Sequence, residues 1–373
     1  MHRAIRSPTP VTAPLRSRAS SRFAGLLSTA LLALVLLTGC DDGTPTSGDP
    51  PAPTEPVGVV VNSIEVTLTV FQVEDPDAPS RTVELGVSDG TPVGASVRGE
   101  LALVPMGVVP TAAVVDLAAG TVLRTIPLPE GSGATGSIFL TDSTALVANP
   151  GRGSVSPVNV RSGEAGAEVE VGAYPSAFVA TDELVVVVNS ELEDFVPARD
   201  GTLTVLDAGT LAEVGRVELS GENPGSAVMG SDGFLYVLNA GRWGEGSGSL
   251  SVVDLESMEE VAHHEGFGDL PGSLTWASGG RLHASSWSFG ILVWDPATGA
   301  FVHPPEDAVH PRGTPSAAGL GVDEEGRLYA LSPDCEEPGE VWRLDPSYEV
   351  EWSLPVGVCP QAVVFTELDE AEP

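Results

Sequence analysis

Lysine is absent from the chain, and all 17 basic residues are arginine. Against them stand 52 Asp and Glu. Five arginines (Arg3, Arg6, Arg16, Arg18 and Arg22) precede the first acid, so the rest of the chain sets 12 arginines against every carboxylate, a formal charge of −40. A body so short of cations repels a phosphate backbone, which all but excludes nucleic acid as a partner. Cysteine is scarce, at 3 in 373 residues, and aromatics make up only 5%. After the amino-terminal segment, no long stretch shows the i, i+3, i+4, i+7 spacing of a helix without Gly or Pro interrupting it. The longest apolar run, residues 23–37, would span about 22 Å as a helix against about 30 Å of hydrocarbon, too short for a permanent membrane crossing. What the sequence does have is 42% hydrophobic residues, ample for a core, with 43 Gly and 32 Pro. That Gly and Pro content is high for a globular protein, yet below the level of low-complexity disorder.

The arginine-bearing start and the apolar run after it read as an export signal over residues 1–39. The run ends Leu37-Thr38-Gly39-Cys40, followed by Asp41-Asp42. This resembles the lipobox of bacterial lipoproteins, and the resemblance implies that Cys40 is lipidated and becomes the mature amino terminus. An ordinary signal peptide with a chance cysteine is the alternative. Several acyl chains on one cysteine hold a soluble body to a bilayer stably. From the cysteine to residue 56 the chain is Pro-rich, acidic and without apolar periodicity, so residues 40–56 read as a flexible tether. The expected setting is the bacterial cell envelope, on a periplasmic or cell-surface face, with the membrane touched only through the anchor.

From residue 57 onward one pattern recurs: a short β-run ending in Asp or Asn, a turn, then a second alternating run. The phrases end at Asp116, Asn159, Asp207, Asp254, Asp295 and Asp345, with Thr69-Val-Phe-Gln72 as a degenerate first copy. Their intervals are roughly 41 to 50 residues, and an all-strand repeat of that length is the mark of a β-propeller with one four-stranded antiparallel blade per copy. Seven copies predict an all-β, seven-bladed propeller. In each copy an innermost strand often follows Pro, a second strand often ends in Asn, and a third ends in the Asp. An outer strand then alternates. The Asp suits a turn because its carboxylate can accept the backbone N–H two residues on, a structural role. Residues 57–62 read as a second strand without an innermost partner, and residues 360–366 as an innermost strand without a blade. Docking the two closes the ring and leaves no open sheet edge. The propeller is thus expected over residues 57–368, with an acidic tail at 369–373.

The phrase Tyr236-Val-Leu-Asn239, with Val147-Ala-Asn149 and Val187-Val-Asn189, resembles the YVTN-type seven-bladed propellers of bacterial and archaeal envelopes. The blades at Ser285 and Ser332 lack the Asn. The resemblance implies a fold and an exported setting and little about a ligand, since propellers host many unrelated functions. Trp294-Asp295 mimics a WD repeat, but no other blade has that dipeptide.

Chemistry is sparse. Cys335 falls in a second-to-third-strand loop and Cys359 just before the closing strand. Those loop classes share a face in a propeller, so an exported chain can bridge them, and two free thiols are the alternative. Gly131-Ser-Gly-Ala-Thr-Gly136 matches a dinucleotide fingerprint in letters, but no helix follows it and it reads as a loop. Gly86-Val-Ser-Asp-Gly90 matches G-x-S-x-G in letters, but no helix follows it, so it is not the strand-to-helix elbow of a serine hydrolase. Five histidines (His263, His264, His283, His303 and His310) lack zinc spacing. Acid-rich loops at Glu191-Leu-Glu-Asp194, Asp323-Glu-Glu-Gly326 and Asp334-Cys-Glu-Glu337 can attract Ca²⁺, though none spells an EF-hand. Neither a catalytic constellation nor a metal site is assigned, and no cofactor is expected beyond Ca²⁺ as a candidate.

Unusual residues collect in the loops expected at one mouth of the central channel: Arg152, Arg199 in a long insert at residues 191–201, Arg242 beside Trp243, and Trp287. Arg next to Trp in a Gly-rich loop is what binding surfaces use. The expected function is a monomeric, non-enzymatic propeller presenting this face to a protein, glycan or small ligand. One alternative is a propeller-type enzyme, a metal-dependent lactonase or a quinoprotein-like oxidoreductase. Such an enzyme needs carboxylates and Asn, or a quinone, converging on the channel. The other is an acidic surface-layer structural protein.

Overall fold

The computed structural model describes residues 54–369, and the signal segment, Cys40, most of the tether and all of the acidic tail but Asp369, which ends the last strand, lie outside them. Seven antiparallel sheets follow one another along the chain. Blade one combines the two ends: Pro360–Asp369 innermost, then Thr54–Asn62, Thr67–Gln72 and Arg81–Glu84. Each later blade begins at its innermost strand, namely Ser96–Arg98, Ser137–Phe139, Pro175–Ala180, Pro224–Met229, Pro271–Ala277 and Leu320–Val322. These innermost strands touch in succession, and Pro360–Asp369 touches both Leu320–Val322 and Ser96–Arg98, so the ring is closed. Blade three alone has a broken outer edge, in the pieces Glu164–Ala165 and Val169–Glu170.

The core is distributed over the seams between blades. Alternate residues of a central strand face opposite neighbours, so both faces are buried and the strand reads as an unbroken apolar run. In Leu184–Asn189, Val186 and Val188 pack with Val237 and Leu235 of blade five, while Val185 and Val187 pack with Leu146 and Val155 of blade three. Val59 and Val61 likewise pack with Val104 and Val115 across the first seam, and Val60 packs with Tyr329 and Val341 across the last.

The closing ladder is longer than the sequence pattern suggested. It begins at the Thr54–Asp369 pair and includes Pro56 opposite Glu367. Thr54, Glu55 and Pro56 thus belong to the sheet and not to the tether. Composition hides them because the bonds are made by backbone and hydroxyl groups: Val73 N–H donates to the Pro56 carbonyl at 3.0 Å, and Thr54 Oγ1 to Glu367 at 2.8 Å.

Two residue types repeat because the turns need them. Each third-strand Asp or Asn caps the turn that follows: Asp116 accepts the Ala119 N–H at 2.7 Å, Asp295 that of Ala297 at 2.9 Å, and Asp345 that of Ser347 at 2.8 Å. Asn62, Asn149, Asn189 and Asn239 are fully buried at the ends of second strands. Each donates from Nδ2 to two hydroxyls of the third strand, as Asn239 does to Ser249 (3.1 Å) and Ser251 (2.9 Å). In blade six the equivalent place, opposite the proline, belongs to Ser286 rather than Ser285.

A recurring Gly-x-x-Pro turn enters four of the blades at Gly172, Gly221, Gly268 and Gly357. Gly221 lies against Asn239, where a Cβ would come within 2.2 Å of the amide, so only glycine fits. The residue before each proline is left-handed: Tyr174 at φ 54°, Asn223 at 55°, Leu270 at 46° and Cys359 at 61°.

Candidate functional site

The second-to-third-strand loops and the turns into each next innermost strand are knitted together by backbone bonds at one end of the ring. Gly107 N–H donates to Ala134 at 2.9 Å, Glu191 N–H to Ala173 at 2.9 Å and Gly241 N–H to Glu222 at 3.0 Å. Cys335 and Cys359 are joined in a disulfide that fastens the blade-seven loop to the seam turn. Arg152, Arg199, Arg242 with Trp243, and Trp287 occupy these loops in blades three, four, five and six, so the fold gathers them onto one face.

None of the three arginines is free there. Arg152 ends the 3₁₀ turn Pro150–Arg152, and its Nε and Nη2 each reach Glu168 at 2.7 Å. The Arg152 guanidinium and the Ser154 hydroxyl hold the Glu168 carboxyl below the usual carboxylate range. Arg199 donates to Glu191 at 3.0 and 2.6 Å, and Thr202 takes the other oxygen at 2.6 Å. Glu191 is 1% exposed and left-handed at φ 53°. Arg242 forks onto Glu222 and also donates to the Pro197 carbonyl at 3.1 Å, tying the blade-five loop to blade four. These guanidinium groups are already neutralised, and they act by fixing the loops.

What the face does offer is apolar. The long insert folds into a hairpin pairing Leu192–Glu193 with Val196–Pro197. Its two turn residues, Asp194 (φ 49°) and Phe195 (φ 64°), are both left-handed, the geometry a two-residue hairpin prefers and usually fills with Asn-Gly. A bulky ring in that conformation costs roughly 1 kcal/mol. Phe195 is 80% exposed and meets Tyr174 edge-on, ring centroids 5.9 Å apart. Val196 is 55% exposed, Trp243 84% and Trp287 43%. Gly244 N–H donates to Asp269 at 2.7 Å, which pins the Trp243 loop to the turn entering blade six. Glu193, Asp194, Asp200 and Glu245 lie exposed alongside and make no ion pair among the described residues. Sequence reasoning singled out Trp243 and Trp287 but passed over Phe195 and Val196. The available signal is the adjacent apolar pair Phe195-Val196 between Glu-Asp and Pro in an acid-rich insert.

The other candidates resolve into local structure. Asp323 accepts from Arg327 at 2.6 Å and from Tyr329 at 2.9 Å, and Asp334 caps the Glu336 and Glu337 N–H groups. Among the described residues no group of three or more His, Cys, Asp or Glu stands together as a metal site. His283 is buried against Tyr348, its Nε2 3.3 Å from the hydroxyl, and His303 meets the same ring edge-on at 5.5 Å. A cavity of about 330 Å³ lined by Arg281, His283 and Tyr348 opens between blades six and seven, beside the turns at the opposite end of the ring.

Fold and face together define the class: a seven-bladed β-propeller with an aromatic, acid-flanked loop surface. No family model matches the chain, and no curated protein does. Among solved structures, a chain of Kuenenia stuttgartiensis hydrazine synthase is similar, with a TM-score of 0.56 and 15% identity over 69% of this chain and 79% of that one. At that identity the likeness shows the propeller fold alone.

Proposed function

We propose that this propeller is a non-enzymatic, monomeric binding protein of the cell envelope, anchored through a lipidated Cys40, and that its partner sits on the loops of blades three to six. The observation that carries this reading is the display of Phe195, Val196, Trp243 and Trp287 on successive blades of one face. Grouped apolar exposure marks interaction surfaces, and large aromatics dominate binding energy where they are used. Backbone strain of the kind at Phe195 persists where the surrounding structure over-determines it and clusters at ligand-binding segments.

The test is a thermal-shift panel on the purified protein with Ca²⁺, sugars and peptides. A ligand that binds only the folded form raises the melting temperature. The reading expects a shift in the wild type that is lost in Trp243→Ala, whose own melting temperature stays near that of the wild type. Stoichiometric Ca²⁺ or a coloured cofactor, with lactone or dehydrogenase turnover that survives in Trp243→Ala, would replace it with the enzyme reading. Acyl labelling that persists in Cys40→Ser would remove the anchor.

A further inference from the structure

Resting on that reading of the loop face, we infer the partner's chemistry: a cationic polypeptide segment that also bears apolar side chains. Its Arg or Lys groups meet the free carboxylates, and its apolar groups meet Phe195, Val196 and Trp243.

Charge decides the class. In blades four and five the face supplies two guanidinium groups, Arg199 and Arg242, and each is consumed by its own glutamate. Glu193 lies close enough to act on the Arg199 charge, and Asp200 and Glu245 on that of Arg242, so these unpaired acids crowd the same patch. With Asp194 at the hairpin tip, the local field is negative on a body already strongly acidic. An anionic or phosphate-bearing partner is repelled, and a cationic one is steered in.

The aromatics sharpen that choice. A ring face with carboxylates beside it attracts a guanidinium or ammonium group by its quadrupole as well as by charge. A neutral glycan could stack on Trp243 and Phe195 but would leave the carboxylates unanswered. A small cation could answer one or two carboxylates but would not cover the breadth from blade four to blade six. An extended segment with alternating basic and apolar groups does both.

The support is rigid, which lowers the ordering cost of binding. Arg242 holds the hairpin through the Pro197 carbonyl at 3.1 Å, and Arg199 with Thr202 holds its base through Glu191.

The test uses the full-length protein purified in detergent and fluorescent peptides of three kinds: basic with apolar residues, basic with only Gly and Ser between, and acidic with apolar residues. Soluble peptidoglycan fragments and choline form two further arms. The inference expects the basic apolar peptide to bind at least about tenfold more tightly than the other two, with affinity falling as salt rises. Phe195→Gly and Trp243→Ala should each weaken it about tenfold, while Glu193→Gln with Glu245→Gln should flatten the salt dependence. Equal binding of the basic apolar peptide by the aromatic variants would overturn the inference, because the acidic body alone would then account for it. Binding of a glycan fragment or choline in its place, lost in Trp243→Ala, would overturn the partner class while leaving the loop face as the binding site. No binding in any arm would overturn the partner class too, and the thermal-shift panel would then decide the face by itself.

Discussion

Val59 and Val364 stand opposite each other in an antiparallel ladder, one from each end of the propeller sequence. Through that ladder the last strand becomes the innermost strand of the first blade, touching the neighbours on either side. Deleting residues 360–369 should therefore do more than shorten a blade. It would open the ring and uncover Val60, Phe71 and Tyr329 at the final seam. Since a whole domain is stable by only about 5–15 kcal/mol, the truncated chain should show no cooperative thermal transition. A calorimetric melt like that of the intact chain would show that closure is not what holds the disc.

Asn189 and Asn239 make the same two hydroxyl bonds, but their carbonyl oxygens differ. Asn189 Oδ1 accepts the Gly172 N–H at 3.2 Å, while Asn239 Oδ1 has no hydrogen-bond partner among the described residues. Replacing either by Ala strands buried hydroxyls at about 1–3 kcal/mol, and Asn189→Ala leaves a buried backbone donor unpaired as well. Urea unfolding should rank Asn189→Ala as the more costly. The reverse order would mean that the Gly172 contact adds nothing.

The ring, the blade count and the closing strand were legible because they repeat. Leu184–Asn189 reads as a strand from its run of valines, and Asp207 or Asp254 marks each turn because a carboxylate is what caps it. The turns into the blades were half legible. Pro175 and Pro271 show in the sequence, but nothing in a tyrosine or a leucine announces a left-handed Tyr174 or Leu270, which the tertiary fit imposes. The site was legible as residues but not as pairs. Arg152, Arg199 and Arg242 look like free binding groups until folding sets Glu168, Glu191 and Glu222 beside them. Phe195 needed the hairpin to lift it out of the insert.

Phe195→Gly separates stability from binding. Glycine accepts φ 64° without strain, a gain of roughly 1 kcal/mol, while the edge-on contact with Tyr174 is lost at about the same magnitude. The melting temperature should move by no more than a few degrees, while binding at the face weakens about tenfold. A large destabilisation would mean that the ring packs into the fold more firmly than its exposure indicates.

His283 should make the protein acid-sensitive before its carboxylates titrate. Burial, with the Arg281 guanidinium next and His303 adding to it, pushes the imidazole from 6.5 down to about 4. Between those values the unfolded chain binds the proton and the folded one does not, so stability falls as pH falls through that window. The full effect is about 3 kcal/mol at or below pH 4. His283→Gln keeps a polar partner for Tyr348 and should lack this component. The wild type minus variant difference in unfolding free energy, followed from neutral pH to about pH 4, isolates it from the other groups. A flat difference would mean that His283 is protonated alike in both states.

Cys335 and Cys359 close a loop with a sequence separation of 24, and Cys359 is also the left-handed residue of the seam turn. In the chain-entropy account, cross-linking a loop of that length stabilises by about 3 kcal/mol, so Cys335→Ser with Cys359→Ser should lose about that much. Cys335→Ser with Cys359→Gly removes the same cross-link but puts the residue without a Cβ at φ 61°, relieving roughly 1 kcal/mol. The glycine variant should therefore be the more stable of the two in urea, although it opens the same loop. If the serine and glycine variants unfold alike, the turn is not held left-handed once the bridge is gone. The disulfide would then be imposing that conformation, and the Gly357-x-x-Pro360 pattern would not suffice to set it.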